Sequence, residues 1–226
     1  MKMKFGPVLS RTTIQDGVYQ QLRQALMNAQ FDPDQTLTIA SLAETFGTSN
    51  MPVREALRRL AAENALEISS GGSARVPVVT KARLDDLCRA RVTLEAMATE
   101  LAVPLLTQDD LATLQNIVSE QQIIGREKDV YTLIGKNQEF HFTIYRASGS
   151  EVLIQLIETL WLRFGPYMRV LSTHSAPLLK AGVAEPSGHH QTILQALRDR
   201  DAASAKAAMI ADIEATQEVL RTLCPE

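Results

Sequence analysis

The chain has 226 residues, 45% of them hydrophobic, and 23 Lys and Arg stand against 26 Asp and Glu for a net charge of -3. This is the composition of an ordinary globular protein, long enough for two modest domains, and it argues against a disordered or collagen-like chain. No apolar run reaches the roughly 18 to 20 residues of a membrane span and no apolar export segment opens the chain, so a cytoplasmic location without membrane partners is expected.

Residues 13 to 29 carry Ile14, Val18, Leu22, Ala25 and Leu26 at helical spacing and end in the breaker-rich FDPDQ. A second, short helix is predicted from Ile39 to Phe46, with Gly47 placed for a left-handed cap. The third is predicted from about Asn50 to Glu63, with Ser49 as N-cap and Pro52 in the first turn, where a missing N–H costs nothing. Leu66 to Ser69 then alternates, SGG turns the chain, and Ala74 to Val79 is strand-like. Three helices and a hairpin are the order of a winged helix-turn-helix, assigned to residues 1–79.

From residue 80 the pattern is all helical: about 83–103, 107–124, 128–148, 151–172, 186–199 and 201–222, with THSAPLLKAGVAEPSG read as a loop. Residues 80–226 are therefore expected to form an antiparallel six-helix bundle, making the fold mainly α. Cys88 and Cys224 are too few for a disulfide framework and read as reduced thiols.

The net charge does not mark a nucleic-acid binder, but positive charge clusters at Arg54, Arg58 and Arg59. The N-terminal turns of a third helix point into the major groove, which places Ser49, Asn50, Met51, Arg54 and Arg58 against bases and phosphates. Arg suits guanine and Asn adenine, and the glycines of the hairpin allow close approach to the backbone. An isolated RxxxRR run reads more often as a solvated face paired with Glu55 and Glu63, but its place on the third helix before a hairpin reverses that preference.

LAETFGTSNMPVREALRRLAAENAL followed by a glycine-centred hairpin resembles the GntR family of bacterial transcription regulators. With the helical remainder, the chain resembles the branch whose C-terminal ligand-sensing domain is of the FCD type, and the likeness spans nearly all 226 residues. It implies a homodimer on an inverted-repeat operator, contacted through Ser49, Asn50, Arg54 and the wing pair Gly71 and Gly72. Many relatives have Arg where this chain has Asn50, and ENAL replaces a Gly-Leu ending.

In the bundle, Asn137 and His141 are four residues apart on one helical face. His190 lies 11 residues before position 201 and Asp212 lies 11 after it, so in an antiparallel hairpin they stand level, roughly 16 Å from the turn. Two imidazoles, a carboxylate and an amide converging in a bundle suit a first-row divalent metal, or form a satisfied hydrogen-bond network. The resemblance implies a metal held by Asp or Asn, by His four residues on, and by two His on the last helices. Asn137, His141 and His190 match, and Asp212 replaces the final His. The negative charge is kept but moved, and one nitrogen ligand fewer favours zinc, with manganese or nickel as other candidates.

Arg91 matches an arginine that in related domains meets the ligand carboxylate, so a small carboxylate effector is implied; its other reading is a pair with Glu95 on an exposed helix. Tyr145, on the side of His141, and Arg163 and Tyr167 further along are further candidates to line the cavity. Trp161 reads as core or subunit interface, and His174 and His189 as surface or loop. A ligand-responsive regulator, with no catalytic residues, fits both halves; a helical-bundle metalloenzyme or a direct metal sensor are the alternatives.

Overall fold

The computed structural model describes residues 14–69, 73–127, 129–181 and 188–226. Helices α1 (Ile14–Met27), α2 (Ile39–Thr45) and α3 (Asn50–Ala62) pack with strands β1 (Thr36–Leu37), β2 (Glu67–Ile68) and β3 (Ala74–Arg75). The sheet order is β1-β3-β2, both pairs antiparallel, with Arg75 opposite Thr36 on one side and Glu67 on the other. The core is the predicted helical stripe, Val18, Leu22 and Leu26 of α1 meeting Val53, Ala56, Leu57 and Leu60 of α3. Gly47 takes φ +60 in the turn between α2 and α3, a conformation that side chains resist.

The wing differs from expectation. β1 is a two-residue strand in a stretch where no element is predicted, too short to show any periodicity. β3 ends at Arg75 rather than Val79, because Pro77 has no N–H for a ladder. Gly71 and Gly72 lie outside the described residues.

The bundle comprises α4 (Lys81–Ala102), α5 (Gln108–Glu127), α6 (Val130–Ala147), α7 (Glu151–Ala181), α8 (Gly188–Arg198) and α9 (Ala202–Leu223). Thr80, Asp129 and Asp201 cap α4, α6 and α9 by accepting from backbone N–H groups three residues on. α7 runs nine residues past its predicted end at 172, through Pro166 and Pro177. Pro177 deprives only the Thr173 carbonyl of its partner, and Thr173 is exposed, so water substitutes at that turn. Among the described residues no helix is long and apolar enough to cross a membrane.

The α8–α9 turn is pinned from outside. Arg200 adopts φ +56 and its guanidinium donates to the carbonyls of Val103 (2.6 Å) and Leu106 (2.7 Å), just past the end of α4. That clamp satisfies orphan carbonyls and fixes the register from which His190 and Asp212 are counted.

The winged helix docks on its own bundle through α1 and α7. A Cβ built on Gly165 of α7 would stand 2.1 Å from the Leu26 carbonyl oxygen, so only glycine permits this approach. Around it, Arg23 pairs with Glu158 at 2.9 Å, Gln24 donates to Gln138 at 3.0 Å, and Arg169 donates to Asp32 at 2.6 Å. The Tyr167 hydroxyl braces the linker, donating to the Thr80 carbonyl (3.1 Å) and accepting from its N–H (3.3 Å).

Candidate functional site

On α3 the apolar face is spent on the core, so the polar face is left outward. Ser49, Asn50, Met51, Arg54 and Arg58 are all exposed, Met51 by 59%. Ser49 occupies the N-cap position but its side chain makes no capping hydrogen bond. Arg58 pairs with Glu55 at 2.9 Å, an exposed contact worth little, whereas Arg54 has no such partner among the described residues. Arg59 is also exposed but turns toward α1: its guanidinium lies 3.7 Å over the Tyr19 ring and near Asp16 and Glu63. The arginine cluster is thus divided between an outward face and a brace against α1. Arg75 on β3 joins Asp34 and Glu67 across the wing.

In the bundle, α6, α8 and α9 bring His141, His190 and Asp212 together, their ligand atoms all within 4.8 Å of one another. The Nε2 atoms of His141 and His190 are 3.3 Å apart, and His141 Nε2 is 3.3 Å from Asp212 Oδ2. Both histidines are buried, and Asp212 is 16% exposed.

The surrounding hydrogen bonds set the tautomers. The Tyr145 hydroxyl gives its one proton to Glu95 Oε2 at 2.5 Å, so it accepts from His141 Nδ1 at 3.0 Å. His190 Nδ1 donates to Gln121 Oε1 at 2.8 Å, and its ring stacks on Phe140 at 4.1 Å. In the neutral rings both protons therefore sit on Nδ1, and the His141 Nε2 lone pair faces both Asp212 Oδ2 and His190 Nε2. Acceptors this close repel unless a positive charge stands between them.

A proton on His141 Nε2, donated to Asp212, is the other way to place positive charge there. Burial, aided by the charge of His141 and opposed by Asp212, pushes His190 down to about 3. Burial is also the largest influence on Asp212, pushing it up, but the His141 hydrogen bond and the charges of the nearby histidines outweigh it and hold the carboxyl at about 2.

Asn137 is half-buried one turn before His141, without a hydrogen bond to the other three among the described residues. Arg91 does pair with Glu95, at 2.7 Å and 3.3 Å, but inside the bundle: Arg91 is 4% exposed and Glu95 0%, where an exposed helix face was the alternative expectation. Among the described residues, Arg91 Nη1, Trp161 Nε1 and Arg163 Nε are buried without a hydrogen-bond partner. Tyr145 sits against His141 as expected, whereas Tyr167 has its hydroxyl on the linker at Thr80, away from that cluster. His174 and His189 are exposed, each on a helix.

A winged helix-turn-helix with an outward polar recognition face, joined to a helical bundle with a buried polar centre, defines a transcriptional regulator with a sensing domain. The comparisons specify which. A sequence profile described as "Bacterial regulatory proteins, gntR family" matches residues 14–76, and one described as "FCD domain" matches 86–215. The chain is 37% identical over 180 residues to the HTH-type transcriptional regulator McbR of Escherichia coli (strain K12), covering 80% of each. It is 28% identical over 195 residues to the HTH-type transcriptional repressor GlaR of the same strain, covering 84% of this chain and 88% of that one. The solved structure of E. coli McbR/YncC superposes with a TM-score of 0.83 at 30% identity, covering 94% and 99% of the two chains. A putative GntR regulator from Rhodococcus sp. RHA1 shares the fold at TM-score 0.72 and 17% identity, covering 91% and 96%. This chain belongs to the GntR family, as a DNA-binding transcriptional regulator with an FCD domain, and the metalloenzyme alternative is set aside.

Proposed function

We propose that residues 1–79 bind an inverted-repeat operator as part of a cytoplasmic homodimer, and that residues 80–226 dimerise and bind a small carboxylate effector beside a divalent metal. His141, His190 and Asp212 hold the metal, with Asn137 as fourth donor. Arg91, Tyr145 and Arg163 serve the effector side.

The spacing of the acceptors carries the metal reading. Ligand atoms about 2.0–2.1 Å from zinc in tetrahedral array lie about 3.3–3.4 Å apart. The two contacts of His141 match that spacing at 3.3 Å and are longer than the 2.7–2.9 Å of a charge-assisted hydrogen bond, while the third edge, His190 to Asp212, is wider, within 4.8 Å, and must close when the metal binds. The outer partners, Tyr145 with Glu95 and Gln121, orient the rings as metal-binding histidines require. A bound metal supplies positive charge and an open position for a carboxylate. For self-association, Met97, Leu101 and Leu105 on and just beyond α4, with Val152 and Leu156 on α7, offer exposed apolar surface.

Coupling then requires that the effector bind two domain arrangements unequally. The α6 helix carries both His141 and Gln138, and Gln138 touches α1. The test is metal analysis of untagged protein. About one zinc per chain, lost in His190→Ala and Asp212→Ala, is expected; no stoichiometric metal and no melting shift on adding zinc or manganese overturns the reading. Metal that alters operator affinity without any acid marks a direct metal sensor instead.

A further inference from the structure

Helix α3 turns by about 100° per residue, which fixes what its outer face presents. Val53, Ala56, Leu57 and Leu60 are buried, and Met51 lies about 180° round the helix from the middle of that stripe. It is the outermost side chain of the first turn, 59% exposed, and the only large apolar one that α3 leaves in the open among the described residues. Glu55 and Arg58 stand on either side of it, one and two turns further on, and spend their charges on each other at 2.9 Å.

When the third helix of this fold lies in the major groove, its N-terminal residues meet base edges, so the outermost of them reaches deepest. Methionine brings no hydrogen-bond donor there and only a weakly accepting sulfur, so it does not read the donor and acceptor pattern by which bases differ. The apolar group on that floor is the C5 methyl of thymine. An unbranched thioether chain is soft enough to settle over it. Over any other base edge it would displace water without replacing the hydrogen bonds.

We propose that Met51 is a specificity-determining residue of the operator contact, selecting thymine in each half-site by packing on its C5 methyl group. This rests on α3 being the helix that reads the operator. Asn50 and Arg54, its neighbours on the same turns, suit adenine and guanine, so one apolar contact is set among hydrogen bonds.

The probe is duplex DNA selected by the full-length protein from a random-sequence pool, with each thymine then replaced in turn by deoxyuridine. That exchange removes the methyl and leaves base pairing and the O4 acceptor unchanged. Binding is read by fluorescence anisotropy at fixed salt. In wild type, deoxyuridine at one position of a half-site should weaken binding about fourfold, the effect of one buried methyl, and about fifteenfold when both half-sites carry it. Met51→Ala, cut back to its Cβ, should bind the thymine and deoxyuridine duplexes equally, whereas Met51→Leu should keep the preference. Arg54→Ala should weaken both duplexes together and leave their ratio unchanged. Met51 is exposed, so neither of its exchanges disturbs the core. No methyl-sensitive position in wild type, or the same loss in Met51→Ala, overturns the methyl reading and leaves operator binding standing. No sequence enriched from the pool overturns α3 as the operator-reading helix and the methyl reading together.

Discussion

Replacing Gly165 by Ala tests whether the two halves communicate through the α1–α7 seam. The new Cβ would meet the Leu26 oxygen at 2.1 Å and its carbonyl carbon at 2.8 Å, both main-chain atoms that no rotamer change moves aside. Non-bonded carbon contacts settle near 3.5 Å, so the helices must part by about 1 Å or more. Overpacking of this kind costs about 1–3 kcal/mol. The polar contacts flanking the seam, Arg23 with Glu158 and Gln24 with Gln138, are half-exposed and worth about 0–1 kcal/mol each, too little to hold it shut. Separation of the halves is therefore the cheapest relief, and neither core need distort.

The assay is fluorescence anisotropy on DNA upstream of the chain's own gene, with and without zinc and acid, beside thermal melting. Gly165→Ala should melt lower, at about 2–4 °C per kcal/mol for a chain of this size. It should still bind DNA but lose the response to ligand. Gly135→Ala is the matched control: it lies in α6, where an added Cβ meets nothing within 4 Å. It should gain about 0.5–1 kcal/mol, since alanine favours the helix. Unchanged melting and an intact response in Gly165→Ala would refute the seam as the route.

Arg54→Ala should weaken operator binding and flatten its salt dependence, read by anisotropy across salt concentrations, while Arg59→Ala should instead lower stability through Tyr19. In chelated protein, His190 stays neutral to about pH 3, below its ordinary value near 6.5. The unfolded chain takes up that proton first, so stability should fall as pH drops from about 6.5 toward 3, by up to about 1.4 kcal/mol per unit; His190→Gln should flatten the slope in a melting series. Arg200→Ala removes two bonds to otherwise unpaired carbonyls and should cost about 1–3 kcal/mol and loosen metal binding at a distance, measured by melting and zinc titration.

Much of this was legible in the chain because it depends on counting. Helical spacing gave the stripes of α1 and α3, and equal distance from position 201 set His190 beside Asp212. The partners that make the site work were not countable. Gln121 and Glu95 belong to residue types usually found at the surface, and only packing by other helices buries them. Trp161 reads as core, and its unpaired N–H is invisible until its neighbours are known. Tyr167 looked like a cavity residue because its helix passes the site, but its hydroxyl sits at the linker. The extension of α7 was hidden by Pro177, whose cost depends on whether water reaches one carbonyl.

The seam at Gly165 joins a missing side chain on one partner to a peptide oxygen on the other. At its closest point it therefore reads no residue identity on α1. The operator-reading half can diversify over its outer surface, or be exchanged for another winged helix of the same backbone path, without renegotiating that contact. A sensor built this way is a reusable chassis, and the glycine is its coupling flange.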